Sequence, residues 1–380
     1  MSASRLCRSL LASSSRLKGG AYDGAELTRR SKHISNFGKQ RLWEKALRML
    51  REMPQDGLRP DVAIFNASIS ACGRAQQWRL ALSLLTELPE RGLRPTVITY
   101  NASISACEAG SQWAIALALV AAMRRSGALK PSIVTYGAAM SACSRGRWWA
   151  LALNLLEELQ TSAVRPGVVA AGAAIGACER GRQWAQTLAL LAAMEQECRG
   201  LSPPGIIAFN AAISACGQGR RWVQAVALLA STRRRALRVS TVTYSTCITA
   251  CEKGHQWVVA QDLLAEMRSC NLRPDVIAYS AAISACEKDN DWRQALVLLG
   301  TMLRSALEPG VITYSASISA CGKGNNWRMA FALLREMRRR SIQKDVIIHN
   351  AAISACGNGE AWRQALSVLS DIRRNDIKAD

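Results

Sequence analysis

The sequence predicts an all-α protein, a right-handed superhelical α-solenoid built from repeated antiparallel helix pairs. A motif that opens with Val or Ile and ends in Trp returns about every 35 residues along the chain. Within each copy the apolar residues follow the period of a helix, and the alternation typical of strands is absent. Since one helix pair cannot bury its apolar faces alone, consecutive pairs are expected to stack into an extended array.

The repeat occupies residues 27–380 as ten units, with no linker and no second domain between them. The predicted bounds are 27–61, 62–96, 97–132, 133–167, 168–205, 206–240, 241–275, 276–310, 311–345 and 346–380. Positions are counted from the first residue of each unit, so that Val311 is position 1 of the ninth unit. The first unit keeps Trp43 and Pro60 but lacks the opening motif, so we expect it to be degenerate, with its first half lost.

The ninth unit illustrates the helical pattern. Its buried face is predicted at positions 1, 4, 8 and 11, which carry Val311, Tyr314, Ile318 and Cys321. Gly324, at position 14, is expected to take the left-handed conformation that ends this helix. A second apolar stripe begins at Trp327, at position 17, and predicts the second helix of the pair.

Cysteine and tryptophan recur at fixed positions, and we expect both to be structural. Position 17 is Trp in all ten units and is in register with the apolar residues of its own helix, which favours core packing over ligand contact. Nine of the thirteen cysteines stand at position 11: Cys72, Cys107, Cys143, Cys178, Cys216, Cys251, Cys286, Cys321 and Cys356. Zinc sites and disulfide frameworks group cysteines locally, so this spacing favours small buried core residues in a reducing compartment.

The formal net charge of +21 is larger than solubility requires. Such a charge indicates a polyanionic partner, with nucleic acid the first choice and an anionic membrane surface the second. No apolar run reaches the roughly 18 residues of a membrane-spanning helix. We therefore expect a soluble protein that does not act at a membrane.

Residues 1–26 form a separate leader. The stretch contains Arg5, Arg8, Arg16 and Lys18, many serines, and no acidic residue before Asp23. That composition is typical of a mitochondrial or chloroplast transit peptide, and it does not separate the two organelles. The alternative is an unstructured basic leader with no targeting role.

A basic residue recurs at position 13, near the end of the first helix of the unit. It occurs in seven of ten units: Lys39, Arg74, Arg145, Arg180, Lys253, Lys288 and Lys323. Positions 2, 5, 9 and 13 fall within one sector of that helix, beside the buried stripe. One cation per unit on one side matches a single-stranded phosphate backbone, although a solvated helix end would give the same pattern.

The unit text resembles the pentatricopeptide repeat, as in VITYN from Val97 and in the Pro-Asp that closes two units, at Pro60-Asp61 and Pro274-Asp275. The related tetratricopeptide repeat has 34 residues and a W-x-x-L-G-x-x-Y text that is missing here. The resemblance covers everything after the leader. It implies single-stranded RNA as the partner, read at one base per repeat.

The resemblance also implies which side chains meet the RNA. Position 2 would wedge against the base, at Ile98, Val134, Ile207, Val242, Ile277, Ile312 and Ile347. The charge and helical phase of position 13, and not the resemblance, predict phosphate contact at Arg74, Arg145, Arg180, Lys253, Lys288 and Lys323. Position 5 and the last residue of the unit would select the base by hydrogen bonding.

The position-5 and last-residue pairs imply a base for most units. Three pairs imply a pyrimidine, with cytosine favoured: Asn66/Thr96, Asn101/Ser132 and Asn210/Ser240. Guanine is implied by Ser31/Asp61, Ser245/Asp275 and Ser315/Asp345, uracil by Asn350/Asp380, and a weak purine bias by Ser280/Gly310. Gly137/Gly167 and Gly172/Gly205 have no side chain to read with. The implied site is 5′-G-Y-C-N-N-C-G-R-G-U-3′.

No catalytic or metal-binding constellation stands outside the repeat pattern. His33, His255 and His349 lie in different units and form no ligand spacing typical of zinc. We expect a monomeric non-enzyme without metal or cofactor, acting on organellar transcripts by occupancy or by recruiting an RNA-processing enzyme in trans. The alternative is a protein-binding scaffold that holds an acidic peptide on the same surface.

Overall fold

The structure of the chain is a computed structural model. It describes residues 24–127, 129–162, 167–196, 204–340, 342 and 346–358, together with 363 and 366. Nearly all of the predicted leader lies outside these residues. Within them the chain forms nineteen α-helices and no strand. The all-α class predicted from the repeat is confirmed, whereas the handedness of the array stays a prediction.

The helices alternate regularly along the chain. They are α1 (Gly24–Lys39), α2 (Trp43–Glu52), α3 (Val62–Arg74), α4 (Trp78–Glu90), α5 (Val97–Ala109), α6 (Trp113–Arg125), α7 (Ile133–Arg145), α8 (Trp149–Thr161), α9 (Val168–Arg180), α10 (Trp184–Glu195), α11 (Ile206–Gln218), α12 (Trp222–Arg234), α13 (Thr241–Lys253), α14 (Trp257–Ser269), α15 (Val276–Lys288), α16 (Trp292–Arg304), α17 (Val311–Lys323), α18 (Trp327–Arg339) and α19 (Val346–Asn358). Odd-numbered helices are the first of a unit and even-numbered helices the second. From the second unit onward, every first helix starts at position 1 and every described second helix starts at the position-17 Trp.

The chain divides into two compact bodies, residues 1–164 and 165–380. In the first body the odd-numbered helices α1, α3, α5 and α7 pack in sequence. Each of α2, α4 and α6 packs on its own partner and on the odd-numbered helix that follows, and α8 packs on α7. In the second body the row from α9 to α19 is built in the same way. This stacking of helix pairs is the arrangement of an α-solenoid.

The buried stripe lies where the helical period places it. In α17 the side chains of Tyr314, Ile318 and Cys321 are fully buried. All nine position-11 cysteines are buried free thiols, as predicted. Burial disfavours the thiolate and raises the pKa of Cys107 to about 11, so that this thiol is neutral at physiological pH.

The first unit corrects one prediction. Its first half is not lost, because α1 is a 16-residue helix with Ile34 fully buried and Phe37 packed against the core. The helix also begins at Gly24, three residues inside the predicted leader. The unit has lost the repeat's opening text but has kept the apolar spacing that forms a helix.

The turn within each unit also differs from the predicted one. Gly324 has an ordinary φ of −84°, and Asn325, at position 15, takes the left-handed conformation with φ of 55°. Position 15 has positive φ in all nine units whose turn is described. The position-14 glycine instead makes room for the Trp of the preceding unit, since a Cβ on Gly254 would lie 2.5 Å from Trp222 Cδ1.

That contact also explains the recurrent tryptophan. Trp222, Trp257 and Trp292 are half-buried and pack against the core of the second body, which confirms their predicted structural role. Among the described helices none is long and apolar enough to cross a membrane.

Candidate nucleic-acid interface

Large apolar side chains stand exposed at position 2 of successive first helices. Their exposed fractions run from 58% to 80% at Ile98, Val134, Ile207, Val242, Ile277 and Ile312. Position 3, the next residue along each helix, is buried throughout these units. A repeated exposed aliphatic residue beside a buried one indicates a contact surface rather than scattered surface hydrophobicity. The side chain of Ile347, the seventh predicted wedge, lies outside the described residues.

In the first body a groove of about 510 Å³ brings three kinds of predicted site residue together. The position-2 residues Ile98 and Val134 line it, with Asn101 at position 5 and Arg74 at position 13. The rest of the lining is small: Ser70, Gly73, Ala102, Ser105, Ala106 and Ala109. The groove thus has apolar side chains, an amide and a cation, and small residues keep it open.

Two of the predicted base-selecting pairs are in contact in the structure. Ser245 Oγ donates to Asp275 Oδ1 at 2.9 Å, and Asn101 Nδ2 lies 3.5 Å from Ser132 Oγ. Position 5 is half-buried at Asn66, Asn101, Asn210, Ser280 and Ser315, and Asn350 is exposed. Asp345 and Asp380 lie outside the described residues, so their pairs with Ser315 and Asn350 stay predictions.

Ser245 differs from the other position-5 residues. Its side chain is only 5% exposed, and its hydroxyl hydrogen is shared between the Thr241 carbonyl oxygen, at 2.8 Å, and Asp275. A base that contacts this serine must therefore compete with two acceptors already in place.

The last residue of each unit is also the N-cap of the next first helix, a role the sequence reading missed. Asp275 Oδ1 accepts from Ala278 N at 2.8 Å. Thr96, Ser132 and Ser240 each form a reciprocal capping box with a Thr three residues later. The signal was present in the sequence, since Ser, Thr or Asp directly before an apolar helix is the usual N-cap pattern.

The basic ladder is partly neutralised by acids of the preceding unit. Lys288 Nζ lies 3.0 Å from Glu252 Oε1, and Lys323 Nζ lies 3.2 Å from Glu287 Oε1. Each lysine also donates to the backbone carbonyl of the same glutamate, at 3.2 Å. These two cations therefore join consecutive first helices, in addition to any contact with a ligand.

The other cations of the ladder are held more loosely. Arg145 Nε lies 3.9 Å from Glu108 Oε1, at the limit of an ion pair. Arg74, Arg180 and Lys253 form no ion pair with any described residue. In the units before Arg74 and Lys253, position 12 is glycine instead of glutamate. The position-12 glutamates were not predicted as part of this surface. Only the stacking of units brings position 12 beside position 13 of the next unit.

A second set of arginines is structural. Arg233 Nη2 donates to Tyr244 OH at 2.7 Å, and Arg268 Nη2 donates to Tyr279 OH at 2.9 Å. The arginine lies over the ring in both cases, 5.8 Å from its centroid. Burial raises the pKa of Tyr244 to about 12, so the phenol stays protonated. These contacts tie a second helix to the following first helix, away from position 5.

Stacked helix pairs with a repeated exposed residue at position 2 define a helical-repeat protein, and sequence models give its family. The pentatricopeptide repeat domain matches residues 48–109 and 227–289, the PPR repeat family matches 274–323, and the PPR repeat matches 34–58, 134–163 and 312–342. Together these matches cover more than half of the chain. The chain belongs to the pentatricopeptide repeat family.

Solved structures of the family have the same fold. A structure of the pentatricopeptide repeat protein PPR10 in complex with an 18-nucleotide psaJ RNA element superimposes with a TM-score of 0.68 at 18% identity, covering 94% of this chain and 56% of that one. A structure of PPR10 from maize gives a TM-score of 0.51 at 15% identity, covering 93% and 59%. This chain thus spans somewhat more than half the length of PPR10. No curated protein sequence matches the chain significantly.

Proposed function

We propose that the chain is a sequence-selective single-stranded RNA-binding protein in which each unit holds one base. The observation that carries the proposal is the repeated surface itself. An exposed aliphatic residue at position 2, a hydrogen-bonding side chain at position 5 and a cation at position 13 converge in one groove around Asn101. The RNA-bound state of PPR10, which has the same fold, supports the choice of ligand.

The proposed mechanism assigns one interaction to each residue type. A base enters between the position-2 side chains of consecutive units, such as Ile98 and Val134, which bury its faces. Asn101 then tests its Watson–Crick edge by hydrogen bonding. Unpaired RNA presents such edges freely, whereas an A-form duplex hides them, so single strands are the expected substrate.

Phosphate binding falls first to the cations without an acidic partner. Arg74 and Lys253 are the described examples whose preceding position 12 is glycine. Lys288 and Lys323 contribute less, because Glu252 and Glu287 already balance their charge. Affinity is expected to fall as the salt concentration rises, because the release of counterions from the RNA is then less favourable.

The cellular role of the protein is proposed from its sequence and from its membership of the family. The protein acts as a non-enzyme on transcripts of a mitochondrion or chloroplast, by shielding RNA, keeping it unpaired, or recruiting an RNA-processing enzyme in trans. The basic, serine-rich composition of residues 1–26 supports import into one of these organelles. The protein is proposed to be monomeric.

The test is binding of the full chain to 5′-GUCAACGAGU-3′, which fits the implied site, against a scrambled RNA of the same composition. We expect the matching RNA to bind at least tenfold more tightly, about the effect of one hydrogen bond to a base. The double variant Asn101→Ala with Asn210→Ala conserves charge and should lose most of that preference.

Two outcomes would contradict the proposal. Equal affinity for both RNAs would exclude sequence-selective recognition by these units. An unchanged preference in the double variant would show that position 5 does not read the base, and would favour the protein-binding scaffold instead.

A further inference from the structure

A threonine at position 3 of one unit contacts the position-5 side chain of the unit before it. Thr135 Oγ1 lies 2.6 Å from Asn101 Oδ1, and Thr313 Oγ1 lies 2.7 Å from Ser280 Oγ. Both threonines are buried, so neither can touch a ligand on the exposed face. They lie directly behind two of the side chains assigned to base selection.

The distance at Asn101 gives the direction of the hydrogen bond. A separation of 2.6 Å is normal for O–H···O and short for N–H···O, so the Thr135 hydroxyl donates to the amide oxygen of Asn101. The amide oxygen therefore faces Thr135, and the Nδ2 group is left toward Ser132 and the groove. Asn101 thus presents a hydrogen-bond donor to a base in the slot.

A donor at this point matches the base implied for the unit. Cytosine carries acceptors at N3 and O2, whereas N3 of uracil carries a hydrogen. If the Asn101 amide rotated, it would present an acceptor and would favour a different edge. The orientation set by Thr135 therefore bears on which base is chosen.

The residue at position 3 varies with position 5 and the last residue across all nine unit boundaries. Threonine follows a polar position 5 when the last residue is not Asp, at Thr99, Thr135, Thr243 and Thr313. An apolar residue follows when the last residue is Asp, at Ile64, Ala278 and Ile348. Alanine follows when position 5 is glycine, at Ala170 and Ala208. In a unit that ends in Asp, the Asp side chain can form the hydrogen bond to position 5 instead of the threonine, as Asp275 does with Ser245.

Helix capping alone does not explain this pattern. Thr135 completes a capping box with Ser132, and a threonine could be present for that purpose only. At Thr313, however, the N-cap is Gly310, which has no side chain and forms no box. Thr313 is nevertheless threonine, and its hydroxyl bonds to Ser280.

We propose that Thr135 and Thr313 are positioning residues for base selection, which set the orientation of Asn101 and Ser280 from behind. The inference rests on the proposed function and adds a third residue to each selecting pair. At Asn66 and Asn210 the amide oxygens have no hydrogen-bond partner among the described residues, so the assignment is confined to the two boundaries where the contact exists.

The experiment measures base preference at one nucleotide. Full-length protein is titrated with four versions of 5′-GUCAACGAGU-3′ that differ only at the third nucleotide, the one assigned to Asn101. The variants are Thr135→Val, which removes the hydroxyl, and Thr135→Ser, which restores it. Thr99→Val is the matched control, because it loses the same capping contact at the neighbouring boundary.

The expected result is a wild-type preference for cytosine of about tenfold that falls to within about twofold in Thr135→Val. Thr135→Ser and Thr99→Val should keep the preference at this nucleotide. A thermal melt of each variant reports the capping loss separately, and it should be similar for the two valine variants.

Two results would overturn the inference. One is a Thr135→Val protein that keeps the wild-type preference, and the other is a Thr99→Val protein that loses it to the same extent. If the wild type itself binds all four RNAs and a scrambled RNA equally, the proposed function fails and this inference fails with it. The two failures are therefore distinguishable.

Discussion

Individual side chains at the unit boundaries have more than one partner. Asp275 accepts from Ala278 N as an N-cap and from Ser245 as a hydrogen-bond acceptor. Replacing such a residue removes a cap, which costs about 0.5–2 kcal/mol, and alters the predicted recognition at the same time. Substitutions at position 5 therefore separate stability from base choice better than substitutions at the last residue.

A buried tyrosine gives a residue-scale prediction of stability. Tyr244 OH bonds to Arg233 and to Glu266, whereas Tyr314 OH has no hydrogen-bond partner among the described residues. The residue at position 28 of the preceding unit is Arg233 in the first case and Leu303 in the second. Tyr244→Phe should lower the free energy of unfolding by about 1 kcal/mol, because it removes the hydrogen bonds of the hydroxyl to Arg233 and Glu266, which still pair with each other.

Tyr314→Phe is the matched comparison and should leave that free energy unchanged or raise it, since no hydrogen bond is lost. Urea denaturation followed by circular dichroism measures both variants. Equal destabilisation by the two substitutions would show that the Tyr314 hydroxyl has a partner and would contradict the account.

The turn between the paired helices differs from the one that the sequence predicts. A glycine at the end of a helix is commonly the left-handed residue, and the sequence predicts that conformation for Gly324. The left-handed residue is Asn325, and the glycine one position earlier makes room for Trp292 of the preceding unit. That contact joins two units, so no pattern within a single unit could reveal it.

A pair of glycine substitutions tests this contact. Gly254→Ala should destabilise the protein by about 1–3 kcal/mol, because the new Cβ would lie 2.5 Å from the Trp222 ring. Gly300→Ala is the control, since Gly300 lies inside α16 with no atom within 4 Å of an added Cβ. It should stabilise the protein by roughly 0.5–1 kcal/mol through helix propensity.

Both variants are compared by thermal denaturation. A Gly254→Ala protein as stable as the wild type would mean that the tryptophan is free to move away. The packing role assigned to position 14 would then be wrong.

At the scale of the whole molecule, the sequence predicted what depends on one unit's own period. The helix pair, its starting residues, the buried cysteines and the exposed position 2 all follow from spacing along one helix. The contacts between units could not be predicted from the period of one unit. The acidic partners of Lys288 and Lys323 and the threonine behind Asn101 are each about one unit away along the chain, and only stacking brings them together.

Stacking also places some of the basic residues behind the net charge of +21 beside acidic residues of the preceding unit. Neutralising Glu252 and Glu287 together, as Gln, should free Lys288 and Lys323 for phosphate. RNA affinity should rise about three- to tenfold at low salt, and the dependence of binding on salt should steepen by up to about 0.7 per freed cation.

Asp262→Asn with Glu157→Gln is the control, because it makes the same change in net charge on exposed residues of second helices. Fluorescence anisotropy at several salt concentrations measures both proteins. If the two double variants gain affinity equally, the effect comes from net charge, and the local role of the position-12 glutamates would be excluded.

Each unit is proposed to read one base through its position-5 side chain. Selection of bound sequences from a randomised RNA pool, followed by sequencing, measures the base preference of all ten units in one experiment. The predicted result is a ten-nucleotide motif with cytosine at its third and sixth places, guanine at its seventh, and no preference at the fourth and fifth, where Gly137 and Gly172 have no side chain. A pool that shows no enriched motif, or one most strongly selected at those two glycine-matched places, would contradict the claim.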